Sequence, residues 1–326
     1  MALPVVHALA RYCRVSWLIR RGNAPLLKLF PQLDCEAWPV DFLPNGEYSA
    51  RTRDELAAAQ FDALVDFSNW DNTLRLARRL PSIPIRAVAY DDRRWLVRQR
   101  WRALSPWRRP FNRIVRLNGR LHRVEKWRRL LEIALEIRLS IEWPLRDLAE
   151  PAAPHRIFVH PHASKGRKRW PVDRFVTLLQ SASRRMHLEC QINEGTPQER
   201  HVAMTLQDHL RSSGIDATCV PLDPAFVALR DALVRADVAI GPDSGPLQLA
   251  SILGTPTIVV YGPTDPGEVA PRYRSISVTP PNGRSSMSDV TPEAVLAALD
   301  EHLSHRGRLL RAAHAPRSTR HQGGRD

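Results

Sequence analysis

Short apolar runs alternate with amphipathic segments throughout the second half of the chain. Residues 156–160 form a brief hydrophobic run that is typical of a buried strand, and residues 224–235 carry apolar side chains every three or four positions, as on one face of a helix. Strands that alternate with helices form a parallel sheet with helices on both faces. The predicted strands are 156–160, 187–192, 217–220, 237–240 and 257–261, and the predicted helices are 171–181, 197–212, 224–235, 245–253 and 291–303.

The first half of the chain is less regular, but it contains the same two kinds of segment. Strands are predicted at residues 15–19 and 63–67, and helices at 2–12 and 53–60. The proline-containing stretch 143–154 is typical of a linker. A second α/β domain is therefore predicted before the linker.

The length of the chain agrees with two α/β domains followed by a basic, disordered tail. A domain has ~100–200 residues, so 326 residues suffice for two. We place the domains at residues 1–150 and 151–304 and the tail at 305–326. A doubly wound domain normally starts with a strand at the middle of its sheet, whereas this sequence starts with a predicted helix. We therefore expect the first strand of the N-terminal domain to be missing from this sequence.

Composition narrows the class of protein. Hydrophobic residues make up 43% of the chain and charged residues 25%, as in globular proteins. No apolar stretch is long enough for a membrane-spanning helix, and the first residues lack the pattern of a secretory signal peptide. The four cysteines lack Cys-x-x-Cys spacing, so reduced thiols are expected rather than a zinc site. These features indicate a cytoplasmic protein.

The net charge of +14 is concentrated in two regions. Between Arg93 and Arg129 there are fourteen arginines and lysines and one acid, and the tail has six arginines and one acid. The rest of the chain is slightly acidic. Tryptophan and phenylalanine side chains lie among the cations of the first region. This mixture suits an anionic membrane surface or a nucleic acid, and it equally suits a solvated helical face whose aromatic rings pack inward.

Ligands of such sheets bind beyond the carboxyl ends of the strands, so the loops there are the places to look for chemistry. After the strand 237–240, Asp243, Ser244 and Gly245 stand where a helix begins. Unpaired backbone N–H groups at such a helix start bind phosphate or polar sugar groups, and a glycine permits close approach of a ligand. The alternative is that Asp243 or Ser244 is only the helix N-cap.

Two further loops carry candidate residues. The loop after the first strand of the second half holds four cations within residues 165–169, Lys168 among them, and cations there can neutralise a diphosphate. Glu199 stands near the start of the helix that follows the next strand. An acid in that place can accept both hydroxyls of a ribose. Alternatively, it is a first-turn acid that the helix dipole favours.

Several short motifs follow one another in the second half of the chain. They read Lys168-Arg169-Trp170-Pro171, Gly195-Thr196-Pro197-Gln198-Glu199, Asp243-Ser244-Gly245-Pro246-Leu247-Gln248-Leu249-Ala250, Gly254-Thr255-Pro256 and Gly262-Pro263-Thr264-Asp265-Pro266. In residue type, order and spacing this set resembles glycosyltransferase family 9, the bacterial heptosyltransferases. A weaker match in the first half covers Phe61–Asp66.

The resemblance implies a GT-B fold, in which two Rossmann-like domains enclose the active site in the cleft between them. It also implies an inverting transfer, without metal or cofactor, from a nucleotide-activated sugar, usually ADP-heptose, to a lipopolysaccharide core or related glycolipid. The absence of any Asp-x-Asp sequence agrees with a metal-independent reaction. The expected location is the inner face of the cytoplasmic membrane, with peripheral contact to its anionic surface and no nucleic acid as partner.

Roles for individual residues come from the same resemblance. Lys168 matches the family's lysine at the donor phosphates and is our candidate catalytic residue. Glu199 matches the acid that binds ribose. The expected donor-binding residues are Glu199, Asp243, Ser244, Gly245 and Gln248, and those expected on the acceptor or membrane side are Arg93, Arg94, Arg98 and Arg100.

Two positions depart from the family pattern. Gln248 stands where the family has a histidine. The family's general base is an aspartate that would fall before Met1, so we expect that this sequence starts at an internal methionine. The alternative is a non-catalytic family member that binds nucleotide sugar or anionic glycolipid without turnover.

Overall fold

The computed structural model of the protein describes residues 1–41, 48–68, 71–90, 111–117, 121–145 and 155–314. Helices and short strands alternate in the N-terminal half. Its elements are α1 (Leu3–Ala10), β1 (Val15–Arg20), β2 (Cys35–Val40), α2 (Ala50–Ala58), β3 (Ala63–Asp66), α3 (Asp71–Arg79), β4 (Ile85–Tyr90), β5 (Arg113–Arg116) and α4 (Arg123–Leu135). A 3₁₀ stretch, Arg21–Leu29, joins β1 to β2.

The C-terminal half alternates more regularly. Its elements are β6 (His155–Val159), α5 (Val172–Ser183), β7 (Leu188–Asn193), α6 (Arg200–Ser212), β8 (Asp216–Val220), α7 (Val227–Arg235), β9 (Val238–Pro242), α8 (Gly245–Ile252), β10 (Thr257–Val260), α9 (Pro266–Val269), β11 (Ser275–Val278) and α10 (Pro292–His314). The six strands form one sheet in the order β11-β10-β9-β6-β7-β8, and every pairing is parallel. The predicted parallel α/β architecture is confirmed.

The order of these strands contains a reversal between β6 and β9. The chain runs outward from β6 through β7 to β8, then returns to the other side of β6, where Ile157 lies opposite Val238 and Val159 opposite Ile240. A crevice opens beyond the carboxyl ends of the strands at such a reversal, and it is the usual ligand site of open α/β sheets. The loops that follow β6 and β9 are therefore neighbours.

Burial on both faces explains why β9 and β10 are almost wholly apolar. All residues of β9 and β10 are buried, as expected for a parallel sheet between two helical layers. Helix α5 covers one face with four buried side chains, each larger one worth ~1.5–3 kcal/mol on burial. These side chains are Phe175, Leu178, Leu179 and Ala182.

Trp170 fixes the start of α5. Its indole Nε1 donates a hydrogen bond of 2.9 Å to the carbonyl oxygen of Val290, and its ring meets the edge of Phe175 at a centroid distance of 4.7 Å. The side chain is almost completely buried. The Lys168 loop that precedes Trp170 is consequently held on the core.

The N-terminal half has its strands in two parallel sheets, β1-β2 and β3-β4-β5. Both sheets are covered by the same layers. On one face Val15 and Val65 pack against the apolar cluster of α1 and α4, and on the other Leu18 and Leu64 pack against the cluster that includes Leu56 of α2. Within the described residues β1 and β3 are nevertheless not paired. The break lies where the first strand of a doubly wound domain is expected, and the existence of such a strand stays a prediction.

Some element boundaries differ from those predicted. Helix α6 begins at Arg200 rather than at Pro197, because Thr196–Glu199 close a turn in which the Glu199 N–H donates to the Thr196 carbonyl oxygen at 2.8 Å. Helix α10 continues to His314, beyond the predicted end at 303 and into the predicted tail. The rest of the tail and the predicted domain boundary at 150 lie outside the described residues. The elements that the pattern did not predict are β2, α3, β4, β5, α4, α9 and β11.

Two aromatic residues of the basic region between Arg93 and Arg129 show whether the rings of that region pack inward, as one alternative in the sequence analysis had it. Phe111 is buried, and the ring of Trp127 stacks on Phe67 at a centroid distance of 5.3 Å. Both rings therefore pack inward. Within the described ranges, no helix combines the length and the apolar character that a membrane crossing requires.

His122 joins the two halves of the molecule. Its Nδ1 accepts a hydrogen bond of 3.2 Å from the N–H of Val124 at the start of α4, so the neutral ring carries its proton on Nε2, which donates to the carbonyl oxygen of Ala270 at 2.8 Å. Burial, helped by nearby cations such as Arg272, lowers the pKa of His122 to about 4. The neutral imidazole is the form that the folded protein favours.

This pKa predicts a loss of stability in mild acid. Because the folded-state pKa lies below the ordinary value of 6.5, the stabilisation is complete above pH 6.5 and declines as the pH falls toward 4. We expect the free energy of unfolding to drop by about 2 kcal/mol more between pH 7 and pH 5 in the unsubstituted protein than in His122→Gln. Urea denaturation at the two pH values measures this, with the exposed His209→Gln as control. Equal pH dependence in all three proteins contradicts the assignment.

Candidate functional site

Lys168 and Asp243 form an ion pair at the carboxyl edge of the sheet. The Lys168 Nζ donates to Asp243 Oδ2 at 2.7 Å, and the two side chains keep 22% and 14% of their surface exposed. Lys168 ends a short 3₁₀ turn in the loop after β6, and Asp243 follows β9 directly. Two residues that the sequence analysis selected separately are thus in contact, because β6 and β9 are adjacent.

The start of α8 lies beside this pair. Ser244 is its N-cap in extended conformation, and its hydroxyl makes no capping hydrogen bond, so the interpretation of Ser244 as an ordinary side-chain cap is wrong. The first turn contains Pro246 and no acid. Gly245 is exposed, and a Cβ there would meet no heavy atom within 4 Å. The free N–H groups of the first turn therefore carry positive potential at an accessible surface next to the Lys168 ammonium.

Glu199 precedes α6 at the same edge of the sheet. Its Oε2 accepts hydrogen bonds of 3.0 Å from both the N–H and the hydroxyl of Thr196, and its Oε1 lies 3.8 Å from the Arg169 guanidinium. Partial burial opposes ionisation, but the Thr196 hydrogen bonds and the nearby positive charge prevail and lower the pKa of Glu199. An ionised carboxylate with one oxygen held by the turn is what a ribose contact would need.

The motif assigned Gln248 to donor binding, but in the structure its side chain contacts the protein's own backbone. The side chain is buried, and its Nε2 donates a hydrogen bond of 2.7 Å to the carbonyl oxygen of Val269. The amide thus ties α8 to the end of α9, next to the carbonyl of Ala270 that His122 holds from the other half. A donor contact of Gln248 stays a prediction, and the contact that the structure gives it is a structural one.

Other polar residues at this edge escaped the sequence analysis. Tyr261 follows β10 and is almost completely buried, and its pKa is raised by burial and by the neighbouring Asp243 carboxylate. His160, His162 and Asn193 are also buried, at the ends of β6 and β7. Their only signal in the sequence is position, since each ends a predicted strand or follows one within two residues.

The remaining predictions concern the arginines of the first basic region, the cysteines and metal binding. Arg93, Arg94, Arg98 and Arg100 lie outside the described residues. All four cysteines are free thiols. Among the residues that the structure describes, no three His, Cys, Asp or Glu side chains converge as a metal site.

Comparison with known proteins extends the resemblance. The family model for glycosyltransferase family 9 (heptosyltransferase) matches residues 50–291. Lipopolysaccharide heptosyltransferase 1 of Pseudomonas aeruginosa is 24% identical over 232 residues, which are 69% of this chain and 61% of that relative's length. Among solved structures, E. coli heptosyltransferase WaaC with ADP has a TM-score of 0.66 at 19% identity and covers 92% of this chain and 95% of its own. E. coli ADP-heptose LPS heptosyltransferase II has a TM-score of 0.69 at 18% identity, with 94% of both chains covered.

The two α/β halves define the GT-B class of fold, as the structural likeness confirms. Because the family model spans most of the sequence, the chain belongs to glycosyltransferase family 9. The family resemblance that the motifs carried is therefore confirmed.

The ion pair at the centre of the site has a measurable consequence for the free protein. Since both side chains are about four-fifths buried, the Lys168–Asp243 coupling energy should exceed that of an exposed pair, at about 1 kcal/mol or more. A double-mutant cycle of Lys168→Met and Asp243→Asn, measured by urea unfolding at pH 7, gives this energy.

The matched control is the more exposed pair of Arg185 and Asp300, also 2.7 Å apart. The cycle of Arg185→Met and Asp300→Asn should give less than about 0.5 kcal/mol. Additive effects of the Lys168 and Asp243 substitutions would mean that the pair does not form in solution.

Proposed function

We propose that this protein transfers a sugar, heptose from ADP-heptose, to a lipopolysaccharide core or a related glycolipid. Membership of glycosyltransferase family 9 supports this proposal. The observation that carries it is the 2.7 Å contact between Lys168 and Asp243 at the start of α8. It sets a cation and a helix N-terminus side by side, and together they suit the diphosphate of a nucleotide sugar.

The proposed reaction is a single displacement with inversion at the anomeric carbon. An acceptor hydroxyl oxygen attacks this carbon and forms the new carbon–oxygen bond, while a base takes the hydroxyl proton. The bond to the diphosphate breaks, and the nucleoside diphosphate leaves with the electron pair. Negative charge grows on the leaving group, so the Lys168 ammonium and the first-turn N–H groups of α8 stabilise the transition state without a metal. Asp243 orients the ammonium.

Other residues at the edge receive donor roles in this proposal. Glu199 binds the ribose hydroxyls, and Ser244 and Gly245 bind the phosphates or the donor sugar through their backbone. Gln248 acts on the donor indirectly, because it holds α8 against α9. No cofactor takes part.

The N-terminal half receives the acceptor in this proposal. A lipid-anchored, phosphate-rich acceptor at the inner face of the cytoplasmic membrane suits the basic segment that contains Arg93, Arg94, Arg98 and Arg100. Attraction to an anionic surface is worth ~1 kcal/mol per nearby cation. The proposal includes peripheral membrane contact and no nucleic acid.

Substitution of Lys168 tests the proposed role directly. With ADP-heptose and a truncated, heptose-free core acceptor, Lys168→Ala should lower kcat/KM by about 100-fold or more, as expected for loss of a charge that stabilises the transition state. The release of ADP and the mass of the glycosylated acceptor are measured. Unchanged kinetics would remove Lys168 from the mechanism.

Two controls complete the experiment. Lys28→Ala removes an exposed lysine of the N-terminal half and should leave the rate unchanged, and EDTA should have no effect if the reaction needs no divalent metal. A second candidate function follows from Gln248 in place of the family's histidine. It is binding of nucleotide sugar without transfer. Tight binding of ADP-heptose with no turnover on any core acceptor would favour this second function.

A further inference from the structure

A buried polar cluster joins the two loops that carry Lys168 and Glu199. Asn193, the last residue of β7, donates from Nδ2 to His160 Nδ1 at 3.0 Å, and its carbonyl oxygen accepts from His162 Nε2 at 3.0 Å. Asn193 and His160 are each 6% exposed and His162 is 3% exposed, so these hydrogen bonds are shielded from water. Unpaired polar groups at such depth would destabilise the folded protein. None of the three residues takes part in the proposed reaction.

The hydrogen bonds fix the tautomers of both imidazoles. Burial lowers the pKa of His160 to about 3 and also lowers the pKa of His162, so both rings are neutral at pH 7. His160 accepts at Nδ1 and therefore carries its proton on Nε2, whereas His162 donates from Nε2. The cluster is a fixed scaffold at neutral pH, and neither imidazole is charged there.

The cluster reaches Glu199 through a glycine turn. Asn193 Oδ1 accepts from the Gly195 N–H at 3.2 Å, and Gly195 has a φ of +71°. A Cβ at this glycine would lie 2.7 Å from His162 Cδ2 and 2.8 Å from Glu199 Oε2. The backbone of the turn is thus pressed between the His162 ring and the Glu199 carboxylate, which Thr196 then holds by two hydrogen bonds.

Arg169 links the same turn to the Lys168 loop. Its Nε donates to the carbonyl oxygen of Ala163 at 3.2 Å, and its guanidinium lies 3.8 Å from Glu199 Oε1. The Asn193 cluster therefore sets the position of the Glu199 carboxylate from one side. On the other side, Arg169 of the loop that follows β6 lies close to the same carboxylate.

We propose that Asn193, supported by His162, is the positioning residue that sets the Glu199 carboxylate for the ribose hydroxyls of the donor nucleotide. Asn193 contacts no donor atom itself. It acts by fixing the Gly195 turn, and so determines how well the site distinguishes a ribose with a free 2′-hydroxyl from one without it. The assignment of a ribose to Glu199 rests on the function proposed above, whereas the effect of Asn193 on the Glu199 turn does not.

The first test is made on the free protein. In the structure the Thr196 N–H is held by the Glu199 carboxylate, so its hydrogen exchange should be slow and should accelerate at least tenfold in Asn193→Ala. His162→Phe keeps a ring beneath the turn but removes the hydrogen bond to Asn193, and it should act in the same direction. Gln191→Ala, two residues earlier on β7, is the matched control and should leave the Thr196 exchange rate unchanged. Thermal unfolding checks that each variant is folded.

The second test uses ADP and 2′-deoxy-ADP as probes. Calorimetric Kd values should show a preference for ADP of about tenfold in the unsubstituted protein, the size expected for one lost hydrogen bond to a charged group. This preference should fall to within a factor of two or three in Asn193→Ala, and it should stay in Gln191→Ala. A general loss of stability would weaken both ligands alike and would not change the ratio.

The outcomes separate the two proposals. Slow Thr196 exchange in folded Asn193→Ala and His162→Phe would overturn the positioning role, whatever the ligand. Where the unsubstituted protein prefers ADP, faster exchange together with a preference that persists in Asn193→Ala would also overturn it. Fast exchange in both variants, with no ADP preference already in the unsubstituted protein, would support the positioning of the Glu199 turn and contradict the ribose role of Glu199.

Discussion

The pairing of β6 with β9 is the constraint on which the site depends. The chain completes β7 and β8 on one side of β6 before it returns to the other side, and His160 N–H then bonds to the Ile240 carbonyl at 2.9 Å. The contact is so close that a Cβ at Gly241 would lie 2.5 Å from the His160 carbonyl oxygen. A side chain at this glycine would push the two strand ends apart, and with them the loops that carry Lys168 and Asp243.

The ion pair across this junction both orients and restrains Lys168. A lysine has a flexible stem and loses considerable rotamer entropy when it is fixed, and the Asp243 carboxylate fixes it before any ligand arrives. The same carboxylate offsets part of the positive charge of the ammonium, so the start of α8 has to supply additional positive potential for a diphosphate. The anion site that we propose therefore combines the Lys168 ammonium with the start of α8 at Ser244 and Gly245.

Much of the C-terminal sheet could be predicted because β9 and β10 are buried on both faces and read as apolar runs, and because its strands alternate with amphipathic helices. The sequence contains no such signal for β11, where Ser275 and Ser277 alternate with apolar residues on an edge strand. Helix α9 has only four residues, too few for a period of 3.6 to appear.

Lys168, Glu199 and Asp243 could be selected as candidates from the sequence, but the contact between Lys168 and Asp243 could not be predicted. Lys168 and Asp243 are 75 positions apart, and only the order of the strands, which hydrophobic patterning does not encode, brings them together. Gln248 was assigned to the donor from its place in a motif, whereas its partner, the Val269 carbonyl, depends on how α9 folds back. Asn193 gave no signal because a single asparagine at a strand end is unremarkable until its neighbours in space are known.

Amide hydrogen exchange of the unsubstituted protein, with and without ADP, tests most directly whether the edge between β6 and β9 is the nucleotide site. ADP should slow exchange in residues 161–169, 193–199 and 243–248, because these three loops meet at that edge. Protection confined to other parts of the chain, or no protection at ADP concentrations that saturate binding, would contradict a donor site at this edge.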